Sequence, residues 1–143
     1  MKGKENDNWL TPLALYQELN SEFNFDLDPC PYNEGIIVNN GLTIEWGKVN
    51  FVNPPYSKKL KKAFILKGIE EMKKGKTCIF LIPVSTYTKL FHEHIKPNAF
   101  EIRFIKGRVK FEKLDSFGKR IKIGSGSRTD SMIVIFKPKA PCR

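Results

Sequence analysis

The chain has 143 residues, 41% of them hydrophobic and 11 of them Phe, which suffices for one domain with a real core and is too short for two ordinary ones. No apolar run approaches the roughly 20 residues of a membrane-spanning helix, and the polar amino terminus has no apolar signal core behind it, so a soluble, cytoplasmic protein is expected. A formal charge of +10 and a pI near 9.6 favour nucleic acid as partner, because clustered Lys and Arg release counterions when they meet phosphates.

Residues 1–8 are polar and carry no element signal. Thr11 reads as a helix N-cap and Pro12 as the first helical residue, with Leu15, Tyr16, Leu19 and Phe23 on one face of a helix of about three turns. Phe25 and Leu27 then alternate with Asp26 and Asp28 until Pro29 and Pro31 stop any regular element, which predicts a short strand with Asp28 at its tip. Residues 32–46 keep no period, although residues 36–38 have the composition to pair briefly in a sheet. The apolar run 49–52 predicts a strand leading into Asn53-Pro54-Pro55-Tyr56. Ser57 can cap a following helix with Leu60, Ala63, Phe64, Ile69 and Met72 on one face, lysines on the other, and Gly75 at its end.

Residues 77–84 are nearly all apolar, as expected of a central strand buried on both faces. Leu90, Phe91, His94 and Ile95 then follow at helical spacing, and residues 100–105 and 131–136 read as two further strands. Between those strands, residues 106–130 form a basic, glycine-punctuated segment expected to be a mobile hairpin or loop. Strands alternating with helices imply an α/β fold with a mainly parallel sheet in a single domain spanning residues 1–143. Cys30, Cys78 and Cys142 are too widely spaced for a disulfide framework or paired zinc ligands, and His92 and His94 point to nearly opposite sides of a helix, so no metal is expected.

The chemistry concentrates in Asn53-Pro54-Pro55-Tyr56. A rigid turn at the carboxyl end of a strand is where open α/β sheets place ligands. The Asn53 side chain offers an acceptor and a donor, the two prolines fix φ and leave their carbonyls without competing N–H groups, and Tyr56 adds a flat face for stacking. The set suits an exocyclic amine on a planar base.

This tetrapeptide resembles the catalytic motif of amino-group methyltransferases, and its surroundings extend the likeness. Trp9-Leu10-Thr11-Pro12, Phe25-Asp26-Leu27-Asp28-Pro29-Cys30, Asn40-Gly41-Leu42 with Trp46, and Gly107-Arg108-Val109-Lys110-Phe111 before a closing Ser131-Met132 strand together resemble the phage-type DNA adenine-N6 methyltransferase family over nearly the whole chain. The resemblance implies a compact, trimmed Rossmann-like methyltransferase fold in a bacterial host cell, S-adenosylmethionine as methyl donor and adenine in DNA as acceptor. It implies catalytic roles for Asn53, Pro54, Pro55 and Tyr56, and donor contacts from Trp9, Thr11, Pro12, Asp28, Pro29 and Asn40. Two departures stand out: Asp28-Pro29-Cys30-Pro31 replaces the usual glycine-rich loop, and Asn40 stands where an acidic residue contacts the donor's adenine. With no stretch left for a separate recognition domain, Arg108, Lys110, Lys119, Arg120, Lys122 and Arg128 become the expected DNA contacts. RNA bases or a protein glutamine amide are alternative acceptors of the same chemistry, and a decayed, purely DNA-binding protein is the alternative from another class.

Overall fold

A computed structural model describes residues 9–31, 40–55, 57–122 and 129–139. The short pairing expected at residues 36–38 lies outside the described residues, as does Tyr56.

Strands β1 (Val49–Val52), β2 (Thr77–Pro83), β3 (Glu101–Phe104) and β6 (Ser131–Phe136) form one sheet in the order β1-β2-β6-β3. β1 and β2 are parallel, and β6 runs antiparallel to both β2 and β3. Three strands therefore share a direction and β6 is reversed between two of them, so the sheet expected to be mainly parallel is a mixed one. The reason lies in the connection. Residues 112–122 form a hairpin beyond the carboxyl end of β3, and the chain re-enters the sheet at that same end, where Ile105 N–H donates to Ser131 O and Val84 N–H to Asp130 O. A parallel β6 would need a crossover of a dozen or more residues to the far end. Its fully buried, unbroken apolar run is compatible with either direction.

Among the described residues one parallel bridge lies beyond β1, Leu27 pairing with Asn50, while Phe51 N–H donates to Leu27 O at 3.0 Å. The expected strand at Phe25–Asp28 is thus reduced to its essential function of bringing Asp28 to the carboxyl end of β1.

Helix α1 (Leu13–Phe23) covers one face, packing Leu19 against Phe51, Ile79, Leu81, Ile133 and Ile135. It starts one residue later than the sequence suggests: Pro12 is the N-cap, and Thr11 makes no capping bond because its hydroxyl is taken elsewhere. Helix α2 (Lys58–Lys73) covers the other face with Phe64, Ile65 and Ile69 against Phe80, Ile82 and Val134. Ser57 holds its N-cap position without a side-chain capping bond, and Gly75, at φ 102°, ends it as expected in a conformation that disfavours a β-carbon. A π-helical turn (Leu90–Ile95) runs into the short α3 (Lys96–Asn98) on the α2 side. Strands β4 (Glu112–Leu114) and β5 (Arg120–Lys122) form the hairpin expected in the basic segment. Among the described residues no helix is long and apolar enough to cross a membrane.

One carboxylate inside this frame gives no sequence signal. Glu71 is fully buried on α2, accepts the Trp46 backbone N–H at 3.0 Å, and is ringed by Lys67, Lys74 and Lys76. Burial pushes its carboxyl up, but bonds from Lys76, Trp46, Lys74 and Lys67 together outweigh it and hold the group at about 2. Trp46 is anchored a second time, its indole N–H donating to Gly41 O at 2.7 Å. Glu71 therefore ties the 40–46 connection to α2.

Candidate active site

The turn after β1 leaves the sheet fully buried: Asn53, Pro54 and Pro55 are all in the interior. Asn53 is held by the segment before α1. Its Nδ2 donates to Trp9 O at 2.7 Å and to Thr11 Oγ1 at 3.1 Å. A main-chain carbonyl can only accept, so this pairing fixes which way the amide points; the flipped amide would set two oxygens against each other. The consequence falls on Oδ1, which is buried and has no hydrogen-bond partner. An unsatisfied buried acceptor costs about 1–3 kcal/mol, a cost that an incoming N–H donor would remove.

Asn53 lines a cavity of about 200 Å³ together with Trp9, Thr11, Tyr16, Asp28, Cys30 and Arg120. Asp28 enters from the rudimentary strand beside β1. Its Oδ1 accepts the Cys30 N–H at 3.0 Å, forming a local turn. Burial pushes its carboxyl up to about 6, with the Cys30 N–H pulling the other way. Burial also raises the Tyr16 phenol, and the Asp28 charge adds to that. A cavity with an acceptor on one wall and a poorly solvated carboxylate on another is suited to a ligand bearing N–H and ammonium groups.

The hairpin is built into this wall. Leu10 and Glu112 exchange backbone hydrogen bonds at 2.9 Å, making the 9–11 segment a short partner of β4. Arg120 Nη1 then donates to both Thr11 O at 3.1 Å and Glu112 Oε1 at 2.5 Å. A connected chain therefore runs from hairpin to Thr11 to Asn53.

The residues expected from the sequence divide accordingly. Trp9, Thr11, Asp28 and Asn53 come together, and Arg120 joins them from the group expected to touch DNA. Pro12 caps α1 and Pro29 is buried; neither lines the cavity, and Asn40 opens a 3-10 turn, Asn40–Leu42. Arg108 and Lys110 are exposed because they alternate with the buried Val109 and Phe111, and Lys119 and Lys122 are exposed on the hairpin, whose tip also exposes Phe117. Arg128 lies outside the described residues. Residues that carried no assigned site role in the sequence include Leu10, Cys30 and Phe51 in the cavity wall, Tyr16, which its position one turn after Thr11-Pro12 could have flagged, and Glu112, whose pairing with Arg120 no local spacing reveals.

Thr11→Val, nearly isosteric, removes one of the two partners that orient Asn53. We expect turnover to fall by about 3–10-fold, the value of one hydrogen bond, with donor binding unchanged, while Thr11→Ser retains activity. Steady-state kinetics at saturating substrates checks this, and equal rates for the Val and wild-type proteins would show that the Trp9 carbonyl orients the amide alone.

The fold is α/β, with helices on both faces of a mixed four-stranded sheet. Over residues 1–143 the chain matches the family described as DNA N-6-adenine-methyltransferase (Dam), and it belongs to that family. With the family comes S-adenosylmethionine as methyl donor. Among solved structures the chain is similar to a SAM-dependent O-methyltransferase from Thermotoga maritima, with 14% identity and a TM-score of 0.36 over 67% of this chain and 35% of that one. It is also similar to the tRNA (m1A58) methyltransferase TrmI from Aquifex aeolicus, with 13% identity and a TM-score of 0.35 over 67% of this chain and 37% of that one. The chain thus spans about a third of the length of these two proteins. No curated protein matches it.

Proposed function

We propose that this chain methylates the N6 amino group of adenine at specific sites in DNA, and that the buried, unpartnered Oδ1 of Asn53 is the observation that carries this reading. The amino group of adenine is a poor nucleophile because its lone pair is delocalised into the ring. When Asn53 Oδ1 and the Pro54 carbonyl accept its two hydrogens, the nitrogen becomes more pyramidal and its lone pair can be aimed for in-line attack. Positive charge developing on that nitrogen strengthens both bonds in the transition state. The bound donor supplies an electrophilic sulfonium methyl. Such chemistry requires the adenine to leave the stack, at a cost of a few kcal/mol, and Tyr56 is the side chain proposed to hold it by stacking, worth about 1–3 kcal/mol. Pro55 shapes the turn.

In this reading Asp28 holds the donor's ammonium, with Trp9 and Tyr16 beside it. The cavity is smaller than the roughly 300–1,000 Å³ that encloses a ligand of this size, so it accommodates the methionine end only. The exposed Lys119 and Lys122 with Phe117 on the hairpin, together with Arg108, Lys110 and Arg128, are the proposed DNA contacts, while Arg120 braces the site.

The test is methyl transfer from labelled donor to duplex DNA, RNA and protein, with sequencing of the product. The expected result is N6-methyladenine in DNA at a defined sequence; label in RNA or glutamine alone would move the acceptor, and absence of donor binding by calorimetry at millimolar concentration would favour a decayed, purely DNA-binding protein.

The Asp28 carboxyl adds a pH prediction. Its folded value of about 6 lies above the ordinary 3.8, so the native state is favoured by protonation, and that stabilisation is lost as pH rises from about 4 through 6. Donor binding has the opposite sign, because an ammonium pairs with the carboxylate only above about pH 6. Donor affinity should fall by about tenfold per pH unit below that point, and should become independent of pH in Asp28→Asn.

A further inference from the structure

A second cavity belongs to no step above. It is a cleft of about 510 Å³ between the first turns of α2, the carboxyl end of β2 and the π-helical turn. It therefore lies on the α2 face of the sheet, opposite the face on which Tyr16 lines the other cavity. Its floor is apolar, made by Ile65, Ile82, Ile95 and Met132. Its walls carry Lys58, Lys61, Lys62 and Lys89 against a single carboxylate, Glu93. Toward the other end of α2 the lysines are treated differently: Lys67, and Lys74 just past the helix, are paired with Glu71. None of the four cleft lysines makes an ion pair among the described residues. Lys61 is half-buried, and burial, then the neighbouring Lys58 charge, lowers its pKa. An anion in the cleft would relieve both.

At the rim stands Tyr87, 88% exposed. A large aromatic ring left in water beside a cationic, apolar-floored groove is the combination by which proteins bind unpaired nucleic acid strands, rings stacking on bases and ammonium groups tracking phosphates.

We propose that this cleft binds a nucleotide of the substrate DNA strand next to the extruded adenine, its base on Tyr87 and its phosphates on Lys58, Lys61 and Lys89. The proposal rests on the DNA reading above. Its placement follows from the chain: α2 begins three residues after Pro55, and β2, whose end forms the cleft, is hydrogen-bonded to β1, whose end forms the methyl-transfer turn. A strand opened at the adenine would thus have its neighbouring nucleotide within reach.

Binding of a fluorescein-labelled adenine-containing DNA oligonucleotide, followed by anisotropy across a salt series, tests it without requiring turnover. In the full-length protein, Tyr87→Ala should weaken binding at least about fivefold and Tyr87→Phe should not. Lys58→Gln combined with Lys61→Gln and Lys89→Gln should flatten the slope of log K against log salt by about 0.7–0.9 for each phosphate no longer neutralised, whereas the same three positions changed to Arg should keep it. Melting temperature and S-adenosylmethionine binding by calorimetry should match wild type in every variant. Wild-type affinity in Tyr87→Ala, or a wild-type slope in the Gln variant, overturns the assignment, as does an RNA oligonucleotide bound in preference to DNA through these residues. A protein that binds DNA through the cleft yet transfers no methyl sinks the enzymatic reading and leaves the cleft standing.

Discussion

Asn53→Ala should lower methyl transfer by roughly 10²–10³-fold, about 3–4 kcal/mol of transition-state stabilisation, with DNA and donor binding close to wild type. The side chain is buried and faces the cavity, but its acceptor is idle in the free protein. Its bond to the amine forms on binding and strengthens as charge develops there, so the larger part of its effect falls in the transition state. Removing it therefore lowers kcat without a matching rise in KM. Asn53→Asp sharpens the test. A carboxylate would accept from the amine with more charge, yet its second oxygen would face the Trp9 carbonyl where Nδ2 now donates at 2.7 Å. We expect the Asp variant to lose activity as well. Single-turnover rates for both variants decide the matter, and wild-type turnover in Asn53→Ala would sink the mechanism.

Glu71→Ala should cost about 3–5 kcal/mol of stability, the scale for removing one partner of a buried ion pair. It leaves the Trp46 N–H and three lysine ammonium groups without their shared acceptor. The pH dependence gives the ionic part separately. The folded carboxyl, at about 2, lies below its ordinary 4.5, so its contribution is fully present above about pH 4.5 and is lost as pH falls from there through 2. Thermal melts of wild type and Glu71→Gln at pH 7 and near pH 2 check this, with a large gap expected at neutral pH and a narrowed one in acid. A gap that does not change with pH would mean that Glu71 acts through packing alone.

Several of these features were written in the sequence itself. The apolar runs of β1, β2 and β6, the helical spacing of α1 and α2 and the stop at Gly75 are set by neighbours within a few residues, and each appears where the pattern places it. So does the rigid turn Asn53-Pro54-Pro55 at a strand end, because proline geometry is local. Asp28 reaches the site for a similar reason: two-residue alternation ended by Pro29 and Pro31 can only be a short extended tip.

What the tertiary structure decided has in common that each answer lies far along the chain. The reversal of β6 depends on where the chain returns after the hairpin, and apolar composition is blind to strand direction. Thr11 reads as a cap by its neighbours, yet its hydroxyl is claimed by Asn53, 42 residues away. Arg120 reads as one basic residue among many until Thr11 O, 109 residues distant, and Glu112 bind it into the site wall. Glu71 lies on a lysine-rich helix, where local spacing makes it look solvated; only the arrival of Trp46 and Lys76 buries and satisfies it. Sequence periodicity reports which face of an element is apolar, whereas the partner of a polar group is fixed by the packing of whole elements, and it is that packing that turned Asn53 so that its amide oxygen was left without a partner.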